Sequence, residues 1–230
     1  MLLAELEIWH SRPVTPTRRL SLGNLLLPVD PSPGFGGLLL GAVVAAHMDD
    51  VDEDLVVDIH RLIDQIEAGD RVLQPRLRHR YQVDRHGLGV SRHRLVGENE
   101  SIHFNFDSNG SGLVQVLGAI YAVERLEMSS RRLLAPVLRR AIRWKSPVGP
   151  SFINYLAGSA VTSISAMADP RAWSLDLLGF PLGTGKLTKK QVMARYRDLL
   201  REVHPDHGGD EATASKAIID LGEARRILLA

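Results

Sequence analysis

The sequence predicts an α+β N-terminal domain of mixed helices and strands, followed by a small all-α domain of three helices that contains an antiparallel helix hairpin. Residues 101–106 alternate apolar and polar side chains, which is typical of a half-buried strand. Residues 51–68 instead repeat apolar side chains at helical period. Because Pro170 interrupts the helical patterns, we predict domains over residues 1–170 and 171–230.

The amino-acid composition excludes several classes of partner and of binding site. The formal net charge is +1, so no overall field marks nucleic acid or a membrane as the partner. The absence of cysteine excludes disulfides and cysteine-bound zinc, and fits a reducing compartment. No basic stretch precedes an apolar run at the start, and the most apolar run, residues 36–46, is shorter than the roughly 20 residues that span a bilayer. We therefore predict a soluble cytoplasmic protein with no cofactor, metal site or membrane partner.

The N-terminal domain contains a mixture of strand and helix patterns. Residues 2–9 alternate enough for a strand, whereas residues 38–46 fit either a buried strand or a short core helix, because period alone does not separate the two. The clearest helix covers residues 51–68, and the acidic side chains at its start fit the positive end of the helix dipole better than a metal site. The other predicted elements are strands within 72–106 and helices over 113–127, 130–144 and 153–167.

The glycine-rich segment 107–112 mimics the opening of a calcium-binding loop. Its twelfth position is Gly118 rather than the glutamate that completes such a loop, so the pattern for calcium fails. The segment would also suit phosphate between a strand and a helix, but it lacks the full dinucleotide and P-loop signatures, and a simple turn is favoured. No nucleophile elbow, zinc-protease motif or pair of carboxylates emerges from the sequence, and we do not predict an enzyme.

Two arginine-rich runs suggest an alternative function in nucleic-acid binding. The first extends from Arg71 to Arg94 and contains seven arginines, and the second extends from Arg131 to Lys145. Clustered cations of this kind bind phosphate backbones. Residues 1–171 nevertheless carry 19 basic and 19 acidic side chains, which favours a balanced, solvated surface.

The C-terminal domain shows two amphipathic helical patterns joined by a short loop. Thr188 and Gln191 form a predicted capping box at the start of the first helix, and Pro205 ends that helix. A shorter helix over residues 173–179, closed by glycine, is expected to lay a leucine across the resulting hairpin. The predicted core consists of Val192, Tyr196, Leu199, Leu200, Val203, Ile218, Leu221, Ala224 and Leu228.

The tripeptide His204-Pro205-Asp206 follows the first of these helices, and the pair Tyr196-Arg197 lies within it. This combination resembles the J-domain of the DnaJ co-chaperone family over about residues 172–230. The resemblance implies that the tripeptide and the basic face of the helix bind a DnaK-type chaperone and stimulate its ATP hydrolysis, while residues 1–170 select a client protein or a location. The residues it assigns to partner binding are His204, Pro205, Asp206, Lys189, Lys190, Arg197 and Arg201.

The sequence departs from this family at two positions of the last helix. Arg225 stands where the family often has tyrosine, and Ile218 stands where it often has phenylalanine. Asp198 and Glu202 also dilute the basic face of the preceding helix. These departures bear on the strength of ATPase stimulation more than on the fold. Residues 1–170 resemble no family that we recognise.

Overall fold

The computed structural model describes residues 1–12, 18–70, 79–159, 161–203 and 211–230 of the chain. These residues form a mixed α+β protein, as the sequence predicts.

The chain divides into two compact units, Met1–Ala157 and Gly158–Ala230. The sequence predicts a boundary at Pro170 instead, because proline interrupts helical patterns. In the structure Pro170 is the first residue of a helix, where the missing N–H of proline leaves no hydrogen bond unmade. The short helix Ile164–Ala168 packs against that helix, so the residues ahead of the proline belong to the second unit.

One five-stranded sheet forms the framework of the first unit. Its strands are β1 (Leu2–His10), β2 (Arg18–Leu26), β3 (His79–Tyr81), β4 (Gly89–Glu98) and β5 (Ser101–Asp107). The order across the sheet is β3-β2-β1-β4-β5. Neighbouring strands run antiparallel, except for the parallel pair β2 and β3. The central strand β1 therefore joins the two halves of the sheet.

Helices pack on this sheet and on one another. Those described in the first unit are α1 (Gly34–His47), α2 (Glu53–Ala68), α3 (Gly112–Glu124), α4 (Met128–Ile142) and α5 (Pro150–Ala157). Residues 38–46, for which the sequence allows strand or helix, lie within α1. The residues of this helix from Gly34 to Val44 are buried, except for the partly buried Phe35. Within the described ranges, no helix has the length and apolar composition needed to cross a bilayer.

The core of the first unit lies between the sheet and helices α1 and α3. Leu6 and Ile8 of β1 are fully buried there. Helix α3 approaches the sheet closely because Gly118 carries no side chain: a Cβ at that position would lie 2.5 Å from Cδ1 of Ile8. Gly41 has the same role in α1, where a Cβ would lie 2.6 Å from Cδ1 of Leu156 in α5. Substituting either glycine would therefore force close-packed elements apart.

Strand β2 has no counterpart among the predicted elements. Leu20, Ser21 and Leu22 are its buried side chains, but Gly23 lies inside the strand and weakens the strand pattern. The glycine is there for a steric reason, since a Cβ on it would lie 1.9 Å from Oε2 of Glu7 and 2.6 Å from Nε1 of Trp9, both on the adjacent strand.

The helix predicted over residues 153–167 is wrong in its extent. The segment contains the end of α5 and a separate short helix, α6 (Ile164–Ala168). Gly158, which follows α5, has a φ of +66°, a left-handed conformation that glycine adopts readily and that ends helices.

The second unit contains α6, α7 (Pro170–Leu177), α8 (Lys189–Val203) and α9 (Glu211–Leu229). Asp169 caps α7 by accepting a hydrogen bond from the backbone N–H of Ala172 at 2.8 Å. Gly179 ends the same helix with a φ of +68°, so the glycine-closed helix predicted near residues 173–179 is confirmed. Helix α9 packs against both α7 and α8.

A buried histidine makes the first unit sensitive to acid. His93 on β4 is fully buried, and its Nε2 lies 2.9 Å from Oε1 of Gln115, which can only accept, so Nε2 donates. Burial lowers the pKa of His93 from 6.5 to about 4. Its Nδ1 has no hydrogen-bond partner among the described residues. The folded protein therefore favours the neutral form of the His93 ring.

We expect acid to destabilise the first unit through His93. The pKa is lower in the folded state than in the unfolded chain, so the unfolded chain takes up the proton first and stability falls as pH drops from about 6.5 towards 4. Between pH 7 and pH 5 the loss should be about 2 kcal/mol from this one group. The free energy of unfolding can be measured at each pH by urea titration, with unfolding followed by pulsed hydrogen exchange of peptides from β4.

The control is the His93→Gln variant, which cannot titrate. Its stability should change less between the two pH values than that of the wild type. An equal pH dependence in the two proteins would contradict the assignment to His93.

Candidate partner-binding surface

A reciprocal pair of hydrogen bonds starts helix α8. The backbone N–H of Thr188 donates to Oε1 of Gln191 at 2.9 Å, and the backbone N–H of Gln191 lies 3.4 Å from Oγ1 of Thr188. This is the capping box that the sequence predicts. It places the first residue of the helix at Lys189 and so sets which side chains face outwards.

The inner face of α8 packs in the core of the second unit. The buried centre consists of Leu178, Val192, Leu221 and Ala224. The predicted core residues Tyr196, Leu199, Val203 and Leu228 pack around it and are partly buried, and Leu200 and Ile218 are also partly buried. The sequence did not single out the additional side chains Phe180 and Leu187, which join the same cluster from the segment between α7 and α8.

The outer face of α8 carries a cationic stripe, which we define as Lys190, Arg197 and Arg201. These residues are seven and four positions apart, a spacing that aligns side chains along one side of a helix. All three are exposed. Arg201 donates to Oδ1 of Asp198 at 3.2 Å, so part of its charge is neutralised locally.

Two lysines occupy the first turn of α8, where a cation is unfavourable. Lys189 and Lys190 lie at the positive end of the helix dipole. Both are exposed, and neither forms an ion pair with any residue that the structure describes. Their charges therefore cost helix stability rather than adding to it.

Two other cations of the second unit donate hydrogen bonds to backbone carbonyl oxygens of the same unit. Arg195 donates from Nε to the carbonyl oxygen of Leu178 at 3.0 Å, at the end of α7. Arg171 donates to the carbonyl oxygens of Thr184 and Gly185 at 2.9 and 2.6 Å. These two arginines contact the segment between α7 and α8 or the end of α7, and they do not belong to the stripe.

The tripeptide His204, Pro205 and Asp206 lies outside the described residues. Helix α8 ends at Val203, the residue immediately before it, and α9 begins at Glu211. The assignment of these three residues to partner binding stays a prediction from the sequence.

Arg225, one of the departures from the J-domain pattern, has a defined contact. Its guanidinium carbon lies 4.5 Å from the centre of the Tyr196 ring, within range of a cation–π interaction. The tyrosine of the Tyr196-Arg197 pair is therefore packed beneath a cation of α9, and Arg197 remains on the exposed side.

Some of the basic side chains in the arginine-rich runs of the first unit pair with carboxylates. Arg92 lies 2.6 Å from Glu7, and Arg94 lies 2.6 Å from Glu5, across strands β4 and β1. Arg139 of α4 binds both Asp64 and Glu67 of α2. Arg71, Arg76 and Arg78 of the first run lie outside the described residues.

The sequence also did not predict a cluster of polar side chains in the first unit. Ser91, His93 and Gln115 are buried and hydrogen bonded to one another or to a shared neighbour, and His10 lies against Ser91 with Nε2 3.3 Å from Oγ. They come from β1, β4 and α3, so no spacing along the chain connects them. Within the residues described, no group of three or more potential ligands could hold a metal ion.

Comparison of the chain with protein-family models, with curated proteins and with solved structures finds no match.

We expect the capping box to stabilise the start of α8. Changing Thr188 to Ala removes the side-chain acceptor and should lower the local free energy of opening by about 1 kcal/mol. Hydrogen exchange of α8 peptides in the native protein would then be roughly fivefold faster. Thr188→Ser keeps the hydroxyl and should exchange close to the wild-type rate, whereas equal acceleration in both variants would count against the cap.

Proposed function

We propose that the chain is a co-chaperone whose second unit is a J-like domain that binds a DnaK-type chaperone and stimulates its ATP hydrolysis. The observation that carries this proposal is the cationic stripe of α8, a helix that ends directly before His204-Pro205-Asp206. The opposite face of the same helix packs against α9, so the stripe is presented on a helix held from behind.

The positive charges at the start of α8 do not stabilise the helix, but they would pair favourably with an acidic partner. Lys189 and Lys190 are placed where the helix dipole opposes them, and the described residues offer them no carboxylate. An acidic surface on the chaperone would bring these charges a favourable partner. Exposed cations of this kind mainly raise the rate of encounter, and salt screens their effect.

The tripeptide would supply the specific contact. A carboxylate such as Asp206 forms a charge-assisted hydrogen bond with an arginine, which is stronger and more directional than a neutral one. Pro205 would restrict the backbone around it. The J-like domain performs no chemistry itself in this proposal, because it shifts the conformational equilibrium of the chaperone.

The proposal leaves selection of a client protein or a location to the first unit. The absence of cysteine supports the cytoplasm as its compartment. The nucleic-acid alternative has less support, since Arg92, Arg94 and Arg139 are bound to carboxylates of the same unit. Arginines neutralised in this way contribute little to a phosphate-binding surface.

The decisive experiment measures single-turnover ATP hydrolysis by a purified DnaK-type chaperone with the full chain added. We expect the wild type to accelerate hydrolysis and Asp206→Asn to return the rate to that of the chaperone alone. Asp176→Asn is the matched control, because Asp176 is an exposed carboxylate on α7 of the same unit. No acceleration by the wild type at micromolar concentration, or equal acceleration by Asp206→Asn, would remove the proposal.

Reversing a charge of the stripe should weaken binding without altering the bound state. For Lys190→Glu we expect the concentration that gives half-maximal stimulation to rise roughly fivefold at low salt, with the maximal rate unchanged. The difference from the wild type should shrink as salt is added, because exposed charges are screened.

Arg132→Glu makes the same change of charge at an exposed site in the first unit. It should leave the half-maximal concentration unaltered. A comparable loss in both variants would show that net charge, and not the α8 stripe, governs the encounter.

A further inference from the structure

A serine hydroxyl and a histidine ring meet at the surface of the first unit. Oγ of Ser108 lies 2.8 Å from Nε2 of His47, although the residues are 61 positions apart in the chain. His47 is the last residue of α1 and is partly buried, whereas Ser108 follows β5 and is exposed. This pair plays no part in the proposed co-chaperone function.

A backbone carbonyl selects the tautomer of the histidine. Nδ1 of His47 lies 2.9 Å from the carbonyl oxygen of Val43, which can only accept a hydrogen bond. Nδ1 must therefore carry the proton of the neutral ring. Nε2 is then left with a lone pair that accepts the hydroxyl proton of Ser108. This is the relation between a nucleophile and its general base, with a third group orienting the base.

The residue after the serine is anchored to strand β4. The backbone N–H of Asn109 donates to Oγ of Ser91 at 2.9 Å, and its side-chain amide donates to the carbonyl oxygen of Val90 at 2.9 Å. Ser91 returns a hydrogen bond to the carbonyl oxygen of Asn109, also at 2.9 Å, and Gln115 donates to Oγ of Ser91. Since Ser91 and Gln115 are buried, this anchoring is protected from water.

Two glycines let the following turn pack tightly. Gly110 has a φ of +88°, and a Cβ there would lie 2.8 Å from the ring of His10. A Cβ on Gly112 would lie 2.8 Å from the carbonyl oxygen of His47. The turn that carries Ser108 is thus held against both β1 and the end of α1, so the hydroxyl is preorganised beside the imidazole.

The bond between Ser108 and His47 is not needed to hold the turn. An exposed hydroxyl–imidazole bond competes with water and adds little stability, and the buried bonds of Asn109 already fix the backbone. The exposed pair is available to a molecule from solution. Asp107 and Asp50, which are exposed close to it, disfavour an anionic substrate.

We propose that Ser108 and His47 are a nucleophile and general base that cleave small uncharged carboxylic esters. Oγ of Ser108 attacks the carbonyl carbon, and its proton passes to Nε2 of His47. The bond between that carbon and the ester oxygen breaks, and the departing alcohol takes the proton from His47. Water, deprotonated by Nε2 of His47, then attacks the acyl carbon, and the bond between that carbon and Oγ of Ser108 breaks. His47 returns the proton to Oγ, which releases the carboxylic acid and restores the serine. Each bond broken is matched by one formed, and water is the only co-reactant.

The test uses the full chain, a neutral fluorophosphonate probe and 4-nitrophenyl acetate, with no chaperone present. We expect one probe molecule to attach at Ser108 by peptide mass mapping, and the ester to be hydrolysed faster than in buffer. Ser108→Ala should abolish both signals. Ser111→Ala is the matched control in the same turn, because the exposed Ser111 side chain caps no N–H, and it should retain both.

His47→Gln should lower the rate of probe attachment by roughly a hundredfold. Far-ultraviolet circular dichroism will check the fold of each variant, and Ser108→Ala, an exposed change, is the variant that decides. Absence of labelling in the folded wild type, or equal labelling in Ser108→Ala, would overturn the proposal. Since the assay contains no partner chaperone, its failure leaves the co-chaperone proposal untouched, and the reverse also holds.

Discussion

Burial of the apolar helix α1 is the constraint on which the first unit depends. The helix contacts the sheet and packs against α3, α4 and α5, so no side of it is available for polar residues over most of its length. Leucine side chains of α4 and α5 pack directly on Gly37 and Gly41, since a Cβ on either glycine would lie 2.6 Å from a leucine methyl group. The positions of the surrounding helices follow from that contact. So does the position of His47, which marks the point where α1 leaves the core and reaches solvent.

The second unit depends on a smaller core, and its surface follows from that core. Val192 is fully buried between α8 and its neighbours, and Leu221 and Ala224 of α9 complete the contact. Because a helix turns by a fixed angle per residue, burying Val192 and Tyr196 on one side leaves Lys190 and Arg197 on the other. The cationic stripe is therefore a geometric consequence of the packing. Packing does not require these exposed positions to be cationic, and at Lys190 the helix dipole makes a positive charge unfavourable.

Helices and helix ends could be predicted from the sequence where they depend on residues close by in the chain. The capping box at Thr188, the glycine that closes α7 and the helix α2 all depend on neighbours within about four residues, and each is confirmed. Elements defined by distant contacts were not predictable in the same way. Strand β2 contains Gly23 because of Glu7 and Trp9, residues of another strand, and α1 was ambiguous because burial on nearly all sides removes periodicity. The residues His204, Pro205 and Asp206 lie outside the described residues, and their role stays a prediction.

The two proposed sites differ in how the chain encodes them. The partner-binding surface uses one helix and the tripeptide after it, so its parts are contiguous and a pattern along the sequence suffices to suggest it. The pair Ser108 and His47 requires α1, β4 and the turn after β5 to be in place before the two side chains meet. The segment around Ser108 therefore resembles an ordinary glycine-rich turn when it is considered alone. What distinguishes it is the anchoring by Ser91 and Gln115. These two polar side chains are buried in the core, where burial carries a desolvation cost, and their hydrogen bonds hold the turn of an exposed serine in place.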